Sequence, residues 1–467
     1  MISSPRGLTR NRKRQTNLET ASTDRAALKK AASKIINKKA DKIIAFAKDI
    51  GDNPEVGFQE FRTSRKLAEA VEEAGQTVER GLAITGFKAS HEFAGDGPTV
   101  AVIAELDSLR VPGHELADPD TAAAHACGHH TQSGQLLGVI AALTDPEISS
   151  ALSGAVAFIA TPAEEFIDVS ARLAAHNAGE LGFMSGKQEM IRLGVFDDVD
   201  MAMMVHTSSE SDAGKFSVGG SSNAHVVQHV RFIGKAAHAG GAPWDGVNAL
   251  QAANVALVAV NAQRETFQNA DTVRVHGIIT DGGTSVNSVP GQVIYEGRVR
   301  GRDAEVVDSN AEKIERSFKA GALAVGGEVE ITSIPGYMAL TNDPLMSEMF
   351  AINAEAICGK DTVIRRGPDA NRGGSTDMGD LSQIMPVIHP YVSGAKGTAH
   401  GIDYLIADYK NAVVNAAIAM AHTVIDLLVD GAAAGNEVVA NASPPRTTKQ
   451  YVESQQARMR VIRYKGE

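Results

Sequence analysis

Two cysteines in 467 residues exclude a disulfide framework and fit a reducing compartment, so the chain is expected to be cytoplasmic. A surplus of positive charge is missing too. The formal net charge of −11 removes the electrostatic basis for general nucleic-acid binding. No stretch approaches the ~18 consecutive apolar residues of a membrane span. Arg6, Arg10, Arg12, Lys13 and Arg14 are followed by no apolar segment, so the N-terminus is not a secretory signal. Acidic residues are absent from the same stretch, which reads as a disordered tail or an organellar transit peptide. What remains is the balance of a soluble globular protein, 43% hydrophobic and 22% charged, long enough for two or three domains.

One of the two cysteines stands among histidines, in His125-Ala126-Cys127-Gly128-His129-His130. Cys127 and His129 are two apart, and both reach one ion if the backbone turns between them. A thiolate and an imidazole in a loop suit a transition metal. The bland alternative is a buried apolar thiol beside a satisfied histidine. The stretch lies between an expected strand, 99–107, and an expected helix, 131–143. In open α/β sheets that junction is where ligands collect.

Expected helices over 25–50 and 61–74 precede strands over 85–90, 99–105, 155–161 and 201–206. Strands alternating with helices indicate an α/β class with a doubly wound, mostly parallel sheet. From about Ser217 the order becomes strand (226–234), helix (246–263), strand (272–279), strand (292–300), helix (303–325), strand (328–334). That is βαββαβ, the ferredoxin-like pattern, inserted in the first domain. The expected organisation is a disordered basic tail over 1–24, a first domain in two parts (25–216 and 336–432), the inserted domain over 217–335, and a C-terminal tail over 433–467. An Ala-rich helix is expected over 408–429. The tail reads as mobile or as an arm on a neighbouring subunit.

Four further features converge on the cysteine loop. Glu164 and Glu165 follow an apolar strand, where two adjacent carboxylates are costly without a positive neighbour. One can bind metal while the other stays free as a base. The alternative is a solvated pair at a helix N-terminus. An apolar run delivers His206 at its end, and His400 sits in the small-residue loop Gly397-Thr398-Ala399-His400-Gly401. A lone histidine at the end of such a run is more often structural. Asp107 closes the strand before the cysteine loop, where it can orient a metal-bound imidazole. Jointly the bland readings fail, because all these residues fall at or beyond strand ends of one expected sheet.

The motifs HACGHH (125–130), TPAEEF (161–166), VHT (205–207), GKAAHAGGAPWDGVNAL (234–250), GGTSVNSVP (282–290) and GSTDMGD (374–380) together resemble the metallopeptidase-20 amidohydrolases. The branch that the chain is most similar to holds aminobenzoyl-glutamate hydrolase subunits, auxin-conjugate hydrolases and aminoacylase-1-like proteins. The resemblance spans about Asn53 to Val429. It implies two divalent metal ions per subunit (Zn, Mn, Co or Ni), with Cys127, His129, Glu165, His206 and His400 as ligands and Glu164 as general base. It implies that His238 and Asn287 of the inserted domain act in a partner's site, hence a homodimer or higher homo-oligomer with that domain as lid and dimerisation unit. Arg300 is placed near the substrate carboxylate, with Arg298, Arg365, Arg366 and Arg372 as rivals. The implied reaction is hydrolysis of the amide of an N-acyl or N-aroyl amino acid or a dipeptide. Metal-dependent deamination of an aromatic amine, or a non-catalytic binding role on the same scaffold, are the alternatives. The chain departs from its relatives beside the metals. His130 stands where many have Asp or Asn, Gln132 where auxin-type relatives have His, and Asp107-Ser108-Leu109-Arg110 where DALP is usual.

Overall fold

The computed structural model describes residues 9–210 and 214–466, with only the backbone of 9–24. The expected basic tail therefore lies partly outside the described residues; 9–24 enter as the start of the helix Thr9–Gly51.

A six-stranded sheet carries the first domain. Its parallel part is Ser153–Thr161, Gly95–Glu105, Met201–Met203 and Val387–Ile388; Gly86–Glu92 and Val78–Leu82 add an antiparallel edge. The second half of Gly95–Glu105 is buried almost throughout, as a strand covered on both faces must be. Helices flank it on both sides. Phe61–Glu73, for example, buries Thr63, Leu67, Ala68 and Val71 along one stripe. The mostly parallel reading holds, with the antiparallel edge as an addition.

The expected strand 201–206 is two strands. Met201–Met203 belongs to the large sheet, and His206–Ser208 pairs with Tyr391–Ser393 in a separate four-stranded sheet. His206 is therefore not at the tip of the first sheet, although it still points to the same place. Phe216–Ser221 also belongs to that second sheet, so the inserted unit starts at Ala224 rather than Ser217.

The inserted unit is a five-stranded antiparallel sheet with the helices Ala249–Gln263 and Ala304–Val325 packed on it. Its first four strands run in space as Arg274–Asp281, Gln292–Gly301, Ala224–Ile233, Glu328–Pro335, the order of a ferredoxin-like unit. Asp303 caps the second helix by accepting from Val306 N–H at 2.8 Å, and Gly326 ends it in the left-handed conformation.

The C-terminal expectation needs correction. Residues 433–466 are not a loose tail but form regular structure on their own chain. Thr448–Arg458 is a helix, and Arg460–Lys465 is the fifth strand of the inserted sheet, paired with Glu328–Pro335. Three of the segment's arginines meet acids of the same chain. Arg463 pairs with Glu330 at 2.7 Å, Arg460 with Glu315 at 2.7 Å and Arg458 with Asp308 at 2.8 Å.

The helical segment Lys410–Asn441 is long and apolar enough to cross a bilayer, yet 89% of its apolar window is buried inside the protein, as a core helix. It is kinked at Val429–Ala432, where the expected helix ends.

Candidate active site

Local backbone geometry gathers the expected residues. Gly128 has φ +92°, and a Cβ there would meet Thr207 Oγ1 at 2.1 Å, so only glycine makes the turn that brings Cys127 and His129 together. Ala163 (φ 51°) and His400 (φ 65°) are also left-handed, each at the bend that presents an expected site residue.

Two donor groups share one atom. One ligand atom each of Cys127, His129 and His206 lie within 4.8 Å of one another, and so do those of Cys127, Glu165 and His400. Cys127 Sγ is 3.4 Å from His206 Nε2, and His400 Nε2 is 3.3 Å from Glu165 Oε1. A third group joins Glu105, His129 and Glu164. Asp107 accepts from His129 Nδ1 through its carbonyl at 3.0 Å and Oδ1 at 3.1 Å, and its Oδ2 accepts from Glu165 N–H at 2.7 Å. His129 Nε2 is buried with no hydrogen-bond partner; it lies 3.1 Å from Glu105 Oε2, but not at a hydrogen-bonding angle.

The electrostatics call for cations. Glu105, Asp107, Glu164, Glu165 and Asp377 are all buried here, against the buried Lys187 and Arg172. Lys187 bridges Glu105 at 2.7 Å and Asp377 at 2.5 Å. Burial, then Glu105 and Glu165, push the Glu164 carboxyl well up. Burial and Glu165 push the Cys127 thiol well up. Burial also raises Glu105, but Lys187 and His129 outweigh it and leave that group a carboxylate. Protonated Glu164 and Cys127 are poor as base and ligand. A bound cation reverses both, so the thiolate, imidazole and carboxylate donors fit transition-metal ions.

A cavity of about 350 Å³ opens onto this cluster. Cys127, Glu164, Glu165, His206 and His400 line it, and so do Arg298, Arg300 and Arg372. Arg300 donates to Ser375 Oγ at 2.9 Å; burial and Arg298 lower its pKa to about 10, still cationic at neutral pH. Arg372 stacks on Tyr391, 4.0 Å from the ring centroid. Arg365 is excluded, since it pairs with Glu348 and Glu355 on the surface. His238 and Asn287 do not line the cavity of their own chain. They lie together on the inserted domain, exposed, with Ala239 N–H donating to Asn287 O at 2.9 Å.

Reading the sequence missed Glu105, Lys187 and His389. Glu105 carried a signal, because it is two residues before Asp107 in an extended segment and points to the same side. Lys187 had none, being a lone lysine in the first turn of a short helix. His389 lines the cavity with both ring nitrogens unpartnered and its pKa lowered to about 3 by burial and His206.

The sequence profile of peptidase family M20/M25/M40 matches residues 101–426. The chain is 31% identical over 425 residues to the Xaa-Arg dipeptidase of Mus musculus, covering 86% of this chain and 89% of that one. It is 31% identical over 296 residues to a p-aminobenzoyl-glutamate hydrolase subunit of Escherichia coli, covering 61% and 56%. Among solved structures, a dinuclear metal binding peptidase of the M20 family from Bacillus subtilis superposes with a TM-score of 0.60 at 20% identity, covering 84% of this chain and 99% of that one.

Proposed function

Because the chain belongs to peptidase family M20/M25/M40 and is thereby a hydrolase of amide or peptide bonds, we propose that it uses two divalent metal ions to cleave the amide of an N-acyl or N-aroyl amino acid or a dipeptide. The observation that carries this reading is the sharing of Cys127 between two donor triads, with Glu164 beside them and outside both. Cys127, His129 and His206 would hold one ion; Cys127, Glu165 and His400 the other. Zn, Mn, Co and Ni all suit such donors. When bound, paired ions acidify a water and polarise an amide carbonyl.

The chain's own groups supply the rest. Glu164 takes a proton from the water and delivers it to the leaving nitrogen. A base with no ligand duty is what distinguishes this arrangement from a structural metal site. Arg298 and Arg300, which line the same cavity, hold the substrate's terminal carboxylate by charge-assisted hydrogen bonds. The names of the two relatives support substrates ending in an amino-acid carboxylate. His238 and Asn287, exposed on the inserted domain, act as donors to the developing oxyanion in a partner's site, which makes the active form at least a homodimer.

The test is release of free amino acid from a panel of N-acyl and N-aroyl amino acids and dipeptides, with added Mn or Zn. Release that needs metal and is lost in Glu164→Gln supports the proposal. Silence across the panel from metal-loaded protein, or full activity in the variant, refutes it.

A further inference from the structure

Glu105 lies among the proposed ligands but belongs to neither triad. Its side chain is 1% exposed. Oε1 accepts from Lys187 Nζ at 2.7 Å, which neutralises that end of the carboxylate. Oε2 accepts from Gln132 Nε2 at 3.0 Å, while Gln132 Oε1 accepts from the Glu105 N–H at 2.7 Å. Gln132 thus grips Glu105 by backbone and side chain at once, and the carboxylate cannot turn away.

That clamp aims Oε2 at His129, whose Nε2 is 3.1 Å away. Asp107 occupies the Nδ1 side of the ring, so Nε2 is the nitrogen that faces Glu105. The carboxylate oxygen and this nitrogen meet out of reach of water. Something positive has to lie between them, a proton on Nε2 in the metal-free chain or a metal ion in that proton's place. Glu164 Oε2 is 4.0 Å from the same nitrogen, and the three residues form a donor group of their own.

We infer that Glu105 is a further metal ligand, binding through Oε2 the ion held by His129, with Lys187 and Gln132 as the residues that position it. The inference rests on the two-ion reading above. It gives Gln132, one of the chain's departures from its relatives, a specific task. It also makes the two ions unequal. The His129 ion gains a fourth protein donor and a closed shell, whereas the ion of Cys127, Glu165 and His400 keeps three protein donors and an open position. This donor set would leave the second site open to water and substrate, with Glu164 free to act as base.

Anomalous scattering at the zinc edge, from crystals of the zinc-reconstituted full-length protein, tests this directly. The expected result is two peaks, one of them about 2.0–2.2 Å from Glu105 Oε2. Two peaks ligated by Cys127 and His129, with Glu105 beyond bonding distance of both, overturn the inference and leave the two-ion reading intact. No peak at the site overturns both. In solution, cobalt-loaded Glu105→Gln is expected to bind one of its two equivalents at least tenfold more weakly, with a changed visible spectrum. Gln132→Ala, which keeps the carboxylate but loosens it, is expected to show a smaller change of the same kind. Unchanged affinity and spectrum in folded Glu105→Gln refute the assignment.

Discussion

His129 Nδ1 lies 3.1 Å from Asp107 Oδ1, which turns the opposite nitrogen, Nε2, toward Glu105. The carboxylate fixes both the tautomer and the ring plane of a proposed ligand. Asp107→Asn is therefore expected to lower metal affinity about 10–100-fold while the chain stays folded. Competition with a chelator, read beside circular dichroism, checks this. An unchanged affinity would mean that the ring is held by the cysteine loop alone.

Glu164 and Glu165 are adjacent in sequence, and the proposed mechanism gives them different tasks. Glu164→Gln is expected to reduce kcat about 10²–10⁴-fold with two metal ions still bound. Glu165→Gln is expected to lose metal. Elemental analysis and turnover, measured on the same preparations, separate the two. Loss of metal from both variants would contradict the assignment of Glu164 as a free base.

Gly128 is required by two independent constraints, its positive φ and the 2.1 Å approach of Thr207 Oγ1 to any Cβ. Gly128→Ala is expected to cost about 1–3 kcal/mol in backbone strain alone, lowering the melting temperature and separating Cys127 from His129. A variant that melts and binds metal like the parent would show that the loop has another conformation open to it.

Asp380, outside the proposed donor groups, gives a pH dependence of its own. It is fully buried; Tyr451 donates to Oδ1 at 2.7 Å, and Oδ2 has no partner. Burial, only partly countered by the Tyr451 hydrogen bond, raises its pKa from 3.8 to about 7. The folded state therefore favours the protonated acid. Its contribution to stability is complete below about pH 4 and is lost as pH rises toward 7. Asp380→Asn removes that titration. Relative to the parent, the variant is expected to gain stability between pH 4 and 7, by at most about 1.4 kcal/mol per pH unit. A melting-temperature difference that stays flat over this range would refute the shift.

Much of this site was legible because its residues sit at punctuated places. Cys127, Glu165 and His400 each follow or occupy a turn built on glycine or a left-handed residue, and such turns leave a mark in sequence. The βαββαβ order was legible from strand and helix periods. The break after Met203 was not, because an unbroken apolar run carries no sign of the sheet to which each half belongs. The C-terminal strand was hidden by its arginines, which look solvated until Glu315 and Glu330 are seen opposite them. Lys187 was hidden because a buried lysine is legible only through the carboxylates that the fold brings to it.

The most direct test of the two-ion hydrolase is a metal titration of chelator-stripped protein, read as amino acid released from its best acyl amino acid or dipeptide. The account predicts no release from the stripped protein and activity that rises with added Zn or Mn until about two equivalents per chain, then levels. Release that survives stripping, or that is complete at one equivalent, would contradict it.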